Sequence, residues 1–308
     1  MTSRLRWWVK ALTPPIVLLG VKKLSIALGL RRPDPIPLPE PDTPPPRPDP
    51  PEWEYVPEGW RRPTKGWDVE AVADAQVARW PAFLRAVEAN GPLGIHHEAA
   101  TADHVASDDH SAHNTVLSYG YVLARAAHGR ARLSVLDWGG GIGHYFALSR
   151  ALLPEVALDW CVKDVQAVAQ RGREVLPQVE FTADDGVLAR RFDLVLASGS
   201  LQYAEDWRAT LAALGAAAER FLYVTRLPVA LEVPSFVVLQ RAYAHGYDTE
   251  YLGWVLSRAE LLVEARSAGL ELERELLVEA WLSADGAPER PVGHRGFLFR
   301  RQAALTAP

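Results

Sequence analysis

Cysteine is nearly missing from this 308-residue chain: Cys161 stands alone, which excludes an internal disulfide and a cluster of thiolate metal ligands. It falls in the apolar run Leu158–Val162 and reads as a small core residue; such sparing use fits a reducing compartment. An excess of positive charge is missing too. With 33 Lys and Arg against 38 Asp and Glu the formal net charge is -5, so no overall field gathers phosphate backbones and nucleic acid is disfavoured as the main substrate. The pairs Arg61–Arg62, Arg190–Arg191 and Arg300–Arg301 read as solvated surface. The third absence is a spanning hydrophobic run. The longest apolar stretch, Ala11–Val21, contains Pro14 and Pro15 and is closed by Lys22 and Lys23, whereas a spanning helix needs about 20 apolar residues.

What residues 1–32 do contain is LRWWVKALTPPIVLLGVKKLSIALGLRR, without the small-residue cleavage site of a secretory signal. The pattern predicts a segment lying in the membrane interface, with Trp7 and Trp8 at headgroup depth and the basic residues against anionic lipid. The rival is a helix packed on the protein's own body or on a partner. Residues 33–65 follow as a proline-rich linker, too rich in Pro for helix or central strand.

Residues 66–129 read as a helical cap. WDVEAVADAQVARWPAFLRAVEAN spaces Val69, Val72, Ala73, Val77 and Trp80, then Phe83, Leu84 and Val87, as two short helices meeting near Pro81. A second helical stretch covers Asn114–His128 and stops at Gly129. Between them gather five of the nine histidines. His110 and His113 are three apart and share a helical face, with Asp108 or Asp109 as an oxygen donor; this spacing alone does not make a metal site, and no metal is assigned.

The densest constellation is RLSVLDWGGGIGHYFALSRALLPEV. A buried strand, Leu133–Leu136, carries Asp137 at its carboxyl end, and Gly139, Gly140, Gly141 and Gly143 turn the chain into a helix. The spacing D-x-G-x-G-x-G differs from the G-x-G-x-x-G of a dinucleotide site. A carboxylate ahead of the turn repels pyrophosphate but suits a ligand bearing a protonated amine or a sulfonium. The next strand, Leu158–Val162, is followed by Asp164, placed to hold a ribose diol. A short third strand, Val179–Thr182, leads to Asp184 and Asp185, either of which can accept from an adenine amino group, with loop capping as the alternative. The fourth, FDLVLA, ends in Ser198–Gly199–Ser200–Leu201–Gln202–Tyr203, a loop facing the reacting centre if the strands are parallel. Helix Trp207–Arg220, strand Phe221–Thr225, an irregular insertion, a helix capped by Ser257 and Glu260, and strands Leu272–Ala280 and His294–Arg300 complete an alternating β/α plan.

These landmarks, VLDWGGGIGHYF and SGSLQYAEDW together with PPIVLLGVKKL, Gly66–Trp67 and DHSAHN, resemble those of class I S-adenosylmethionine-dependent methyltransferases. More narrowly, the chain resembles a family of bacterial methyltransferases with an N-terminal hydrophobic segment, linked to surface polysaccharide. The resemblance implies a Rossmann-like seven-stranded α/β sheet with helices on both faces over residues 130–302, its last strand antiparallel, and S-adenosylmethionine as cofactor. It assigns Asp137 and Gly139–Gly143 to the methionine end, Asp164 to the ribose and Asp184 or Asp185 to the adenine; Ser198 joins the cofactor set. The loop SGSLQY departs from the Asn/Asp-Pro-Pro-Tyr/Phe signature of many amino-group methyltransferases, which disfavours adenine, cytosine or protein amide as acceptor.

The expected reaction is therefore O-methylation of a glycan or other small polar acceptor near the membrane, at the cytoplasmic, inner face. Oxygen nucleophiles benefit from a general base, for which His144, His110 and His113 are the candidates; Tyr145, Gln202, Tyr203 and Arg226 flank strand ends as substrate contacts. N-methylation, or a non-catalytic methyltransferase-like scaffold, is the alternative.

Overall fold

A computed structural model describes residues 50–94, 109–245, 247–278, 284–289 and 293–302. The chain divides into two units, Met1–Arg47 and Pro48–Pro308. The interfacial segment 1–32 and the linker as far as residue 49 lie outside the described residues, as do His96, His97, His104 and Asp108.

Ten strands make the sheet: β1 (Trp53–Tyr55), β2 (Arg132–Trp138), β3 (Ala157–Lys163), β4 (Glu180–Thr182), β5 (Phe192–Ser198), β6 (Ala218–Ala230), β7 (Phe236–Arg241), β8 (Glu250–Ser257), β9 (Leu270–Leu277) and β10 (His294–Arg301). Seven of them run in the order β4-β3-β2-β5-β6-β10-β9. The pairs within β4 to β6 are parallel, and β10 lies antiparallel between β6 and β9. That is the seven-stranded α/β plan expected from the sequence. Every residue of β5 is buried, as a parallel strand covered on both faces requires. The cover is α1 (Glu70–Glu88), α2 (His110–Ala127), α3 (His144–Leu152) and α4 (Gln166–Val175) in one core, with α5 (Trp207–Ala217) and α6 (Arg258–Ser267) in the other.

Several elements differ from the sequence reading. The two short helices expected around Pro81 are one continuous helix, α1, because Val72, Ala73, Trp80, Phe83 and Val87 form a single buried stripe while Pro81 sits on the exposed side. Helix α2 begins at His110 rather than Asn114, since the Asp109 carboxylate accepts from Ala112 N at 2.8 Å and caps it. Helix α5 stops at Ala217, and the expected five-residue strand is the 13-residue β6. The irregular insertion contains β7 and β8, an antiparallel pair. Part of the proline-rich linker is strand: β1 pairs with β7, Trp53 opposite Gln240. These three strands extend the sheet where Val229 and Ala230 of β6 pair with Leu256 and Ser257 of β8. Helices α1 and α2 share one core with β2, β3 and β5.

Ser257 precedes α6, but its hydroxyl makes no cap; instead Ser235 Oγ links the two members of the expected capping box, accepting from Ser257 N at 2.8 Å and donating to Glu260 at 2.9 Å. No helix among the described residues is long and apolar enough to cross a membrane.

Candidate active site

The carboxyl ends of β2, β3, β4 and β5 carry the residues that the sequence singles out. After Trp138 the chain makes a turn so close to its own strand that a Cβ on Gly140 would lie 2.4 Å from Asp137 Cγ. Gly143 ends the turn at φ 99°, a left-handed value open to glycine, and starts α3. Beneath this turn Asp137 is fully buried, and neither carboxylate oxygen has a hydrogen-bond partner among the described residues. Burial, and then the charge of Asp164, push its carboxyl up to about 8, against the lowering pull of the nearby Trp160 indole N–H. A buried carboxylate left without donors is costly; a cationic donor from outside would satisfy it.

Asp164 is half-buried and ties two loops together, Oδ2 accepting from Gly141 N at 2.8 Å and Oδ1 from Val165 N at 2.7 Å. Burial raises its carboxyl and these two amides work against the rise. Asp184 and Asp185 are exposed on the loop after β4. Asp184 accepts from Gly186 N at 2.8 Å, closing its own turn, and Asp185 pairs with Lys163 Nζ at 2.7 Å beside Asp164.

On the acceptor side, the loop after β5 is buried and neutral. Ser198 Oγ and the Tyr145 hydroxyl are 2.8 Å apart, and Ser200 donates to Trp138 O at 2.8 Å, joining this loop to the glycine turn. Gln202 is 2% exposed; its Nε2 donates to Arg226 O, and its Oε1 has no partner among the described residues. Tyr203 donates to Gln240 Oε1 at 2.7 Å and meets Trp67 and Tyr251, whose rings stack 4.0 Å apart. Arg226 has φ 52°, the one positive value among described non-glycine residues, at the point where β6 shifts register against β10; its guanidinium lies beside Gly199.

The three histidines fare differently. His144 is 2% exposed, its ring set edge-on against Trp80 at 5.3 Å and Phe83 at 4.9 Å, and its Nδ1 lies 3.4 Å from where a Cβ on Gly141 would stand. His110, exposed, and His113, half-buried, occupy the first turn of α2. Among the described residues no group of three His, Cys, Asp or Glu side chains could hold a metal ion. A cavity of about 270 Å³ lined by Phe146, Arg150, Leu153, Pro154, Val156, Ala157 and Leu158 opens at the amino end of β3, opposite the end that bears Asp164.

Two contributors escaped the sequence reading. Gln76, on α1, accepts from Ile142 N at 3.2 Å, and Asp68 accepts from Ala167 N at 3.1 Å. The signal for Gln76 was present: a polar residue at helical spacing within the stripe Val72, Ala73, Arg79, Trp80, Phe83. Asp68 left none, since only the folded chain brings it to α4.

No family model matches the chain, and no curated protein matches it. Among solved structures it is similar to a magnesium protoporphyrin IX methyltransferase from Synechocystis PCC 6803 with bound SAM, at 15% identity and TM-score 0.44 over 77% of this chain and 99% of that one. It is also similar to a 1,6-didemethyltoxoflavin-N1-methyltransferase from Burkholderia thailandensis, at 16% identity and TM-score 0.43 over 64% and 80%. A third is mitomycin 7-O-methyltransferase, at 18% identity and TM-score 0.41 over 76% and 70%. Likeness of this degree carries no weight for function.

Proposed function

We propose that this chain is an S-adenosylmethionine-dependent methyltransferase that methylates an oxygen of a glycan or other small polar acceptor. The observation that carries the reading is Asp137, fully buried at the end of β2 under a glycine turn, with both carboxylate oxygens unpartnered among the described residues. The donor set fits the cofactor: a carboxylate for its ammonium group, Asp164 for its ribose hydroxyls, and Asp184 or Asp185 for its adenine amine. Each Asp164 oxygen that now accepts one N–H retains a further lone pair for a hydroxyl.

When bound, S-adenosylmethionine supplies a methyl group made electrophilic by its sulfonium. The chain's own part is to orient the acceptor and exclude water. Ser198, Tyr145 and Gln202 present neutral hydroxyl and amide groups at the end of β5, suited to hydroxyl-bearing ligands, and Tyr203 with Trp67 supplies aromatic surface. Holding the acceptor in line is the contribution that these groups make. Action at the inner face of the cell membrane, on acceptors of surface polysaccharide, rests on the sequence of residues 1–32 and on the family resemblance.

Titration calorimetry of S-adenosylmethionine and S-adenosylhomocysteine into the full-length protein tests this. Micromolar binding by the wild type and its loss in Asp137→Ala are expected; a folded wild type that binds neither ligand removes the proposal.

A further inference from the structure

We infer that Asp68 and Gln76 are positioning residues: α1 and its lead-in, which lie outside the parallel sheet, hold both loops of the cofactor site in shape. The effect on ligand binding rests on the cofactor reading above; the effect on the loops does not.

Asp164 takes the amides of Gly141 and Val165, and the neighbouring amides are taken from the other side. Gln76, 9% exposed, receives Ile142 N–H on Oε1, and the same oxygen would stand 2.9 Å from a Cβ on Gly141. Ile142 is fully buried and precedes α3, so without Gln76 its N–H would meet neither water nor a helical carbonyl. Asp68 receives the N–H of Ala167, second residue of α4, whose own N-cap Val165 has no capping side chain. A cap is thus supplied from a residue far away in sequence, with a negative charge at a helix N-terminus. The residue before Asp68 is Trp67, which stacks on Tyr251 and meets Tyr203, so one short stretch touches the loops after β2, β3 and β5. This division of labour has a use. When the Asp164 oxygens turn toward a diol, Gln76 still fixes the glycine turn and Asp68 still fixes the start of α4.

The test pairs each residue with a variant that lacks the accepting oxygen and one that keeps it: Gln76→Met with Gln76→Glu, and Asp68→Ala with Asp68→Asn. Hydrogen exchange of the peptides spanning 139–146 and 165–169, the S-adenosylhomocysteine dissociation constant and the melting midpoint are read in the full-length chain. Gln76→Met is expected to speed exchange in 139–146 and weaken binding about tenfold, the worth of one buried hydrogen bond. Asp68→Ala is expected to speed exchange in 165–169 and weaken binding about threefold. Gln76→Glu and Asp68→Asn keep exchange and affinity close to wild type. Asp74→Asn, which removes an exposed ion pair between α1 and Arg171, changes neither exchange nor affinity. Unaltered exchange in Gln76→Met and Asp68→Ala, or altered exchange with wild-type affinity, overturns the inference. A wild type that binds no S-adenosylhomocysteine while the exchange effects appear removes the cofactor reading and leaves the contacts standing.

Discussion

Strands β4, β3, β2 and β5 run parallel between two helical layers and lead into loops that carry Asp184, Asp164, the glycine turn and Gly199, whereas β1, β7 and β8 run antiparallel and carry Tyr55, Gln240 and Tyr251. The first region gains stability from an apolar core on each face. The second adds two small clusters, Phe236 and Val238 with Trp53 on one side and Val237 and Leu239 with Val56 on the other, and joins the main cores through Tyr251 and Leu256 of β8. Tyr203 reaches Gln240 and packs on Gly253, and Trp254 donates to Glu205 O at 3.1 Å. The carboxylates that the sequence singles out lie in the first region, and the second combines aromatic rings with the ion pairs of Arg241 with Glu54 and Glu250. In the proposed enzyme these are the cofactor side and the acceptor side, and the seam between them is the loop after β5.

The largest effect that would sharpen this contrast is expected at Asp137. Folded, its acid keeps a proton up to about pH 8, against 3.8 for an ordinary aspartate. Between those values the folded chain holds a proton that the unfolded chain has lost, so stability falls as pH rises, by on the order of 5 kcal/mol over the whole span. Asp137→Asn removes that titration. The melting midpoint of the variant should match the wild type near pH 4 and exceed it by pH 8 in the absence of ligand, and equal pH profiles would refute the assignment. Next in size is Tyr251→Ala, which empties a buried ring site on β8 and should cost about 3 kcal/mol in chemical denaturation. If the two regions divide the work as described, S-adenosylhomocysteine affinity stays within threefold of wild type; a larger loss would break the comparison. The smallest effect belongs to the seam: Tyr203→Phe removes the hydrogen bond to Gln240 and should cost about 1 kcal/mol, read as a shift in denaturation midpoint with cofactor affinity unchanged.

The same contrast explains what the sequence made legible. Strands β2, β3 and β5 announce themselves because their buried stretches are runs of apolar residues, and Asp137, Asp164 and the glycines lie at or just past the ends of those runs. The antiparallel extension has no such mark. Phe236–Arg241 lies between Pro234 and a 3-10 turn at Ala242–His245, and its partner β1 is three residues long and follows a proline-rich stretch, so local composition argues for irregular chain where pairing across the sequence makes strand. The setting of His144 was hidden for a related reason. Its place after the glycine turn is a sequence fact, but its surroundings, Trp80 and Phe83, come from a helix more than fifty residues earlier. Gln76 and Asp68 act through that same helix and its lead-in.

The pairing of β1 also bears on how the protein is made. Trp53–Tyr55 leaves the ribosome early, but its partner β7 and the Arg241 guanidinium that grips Glu54, 187 residues away, follow much later. At ~5–20 residues per second the delay is roughly 10–40 s. Throughout that interval β1 has no strand to pair with, and closing so long a loop is a slow, non-local step. This edge strand therefore joins the sheet only after the parallel strands β2 to β6 have been synthesised.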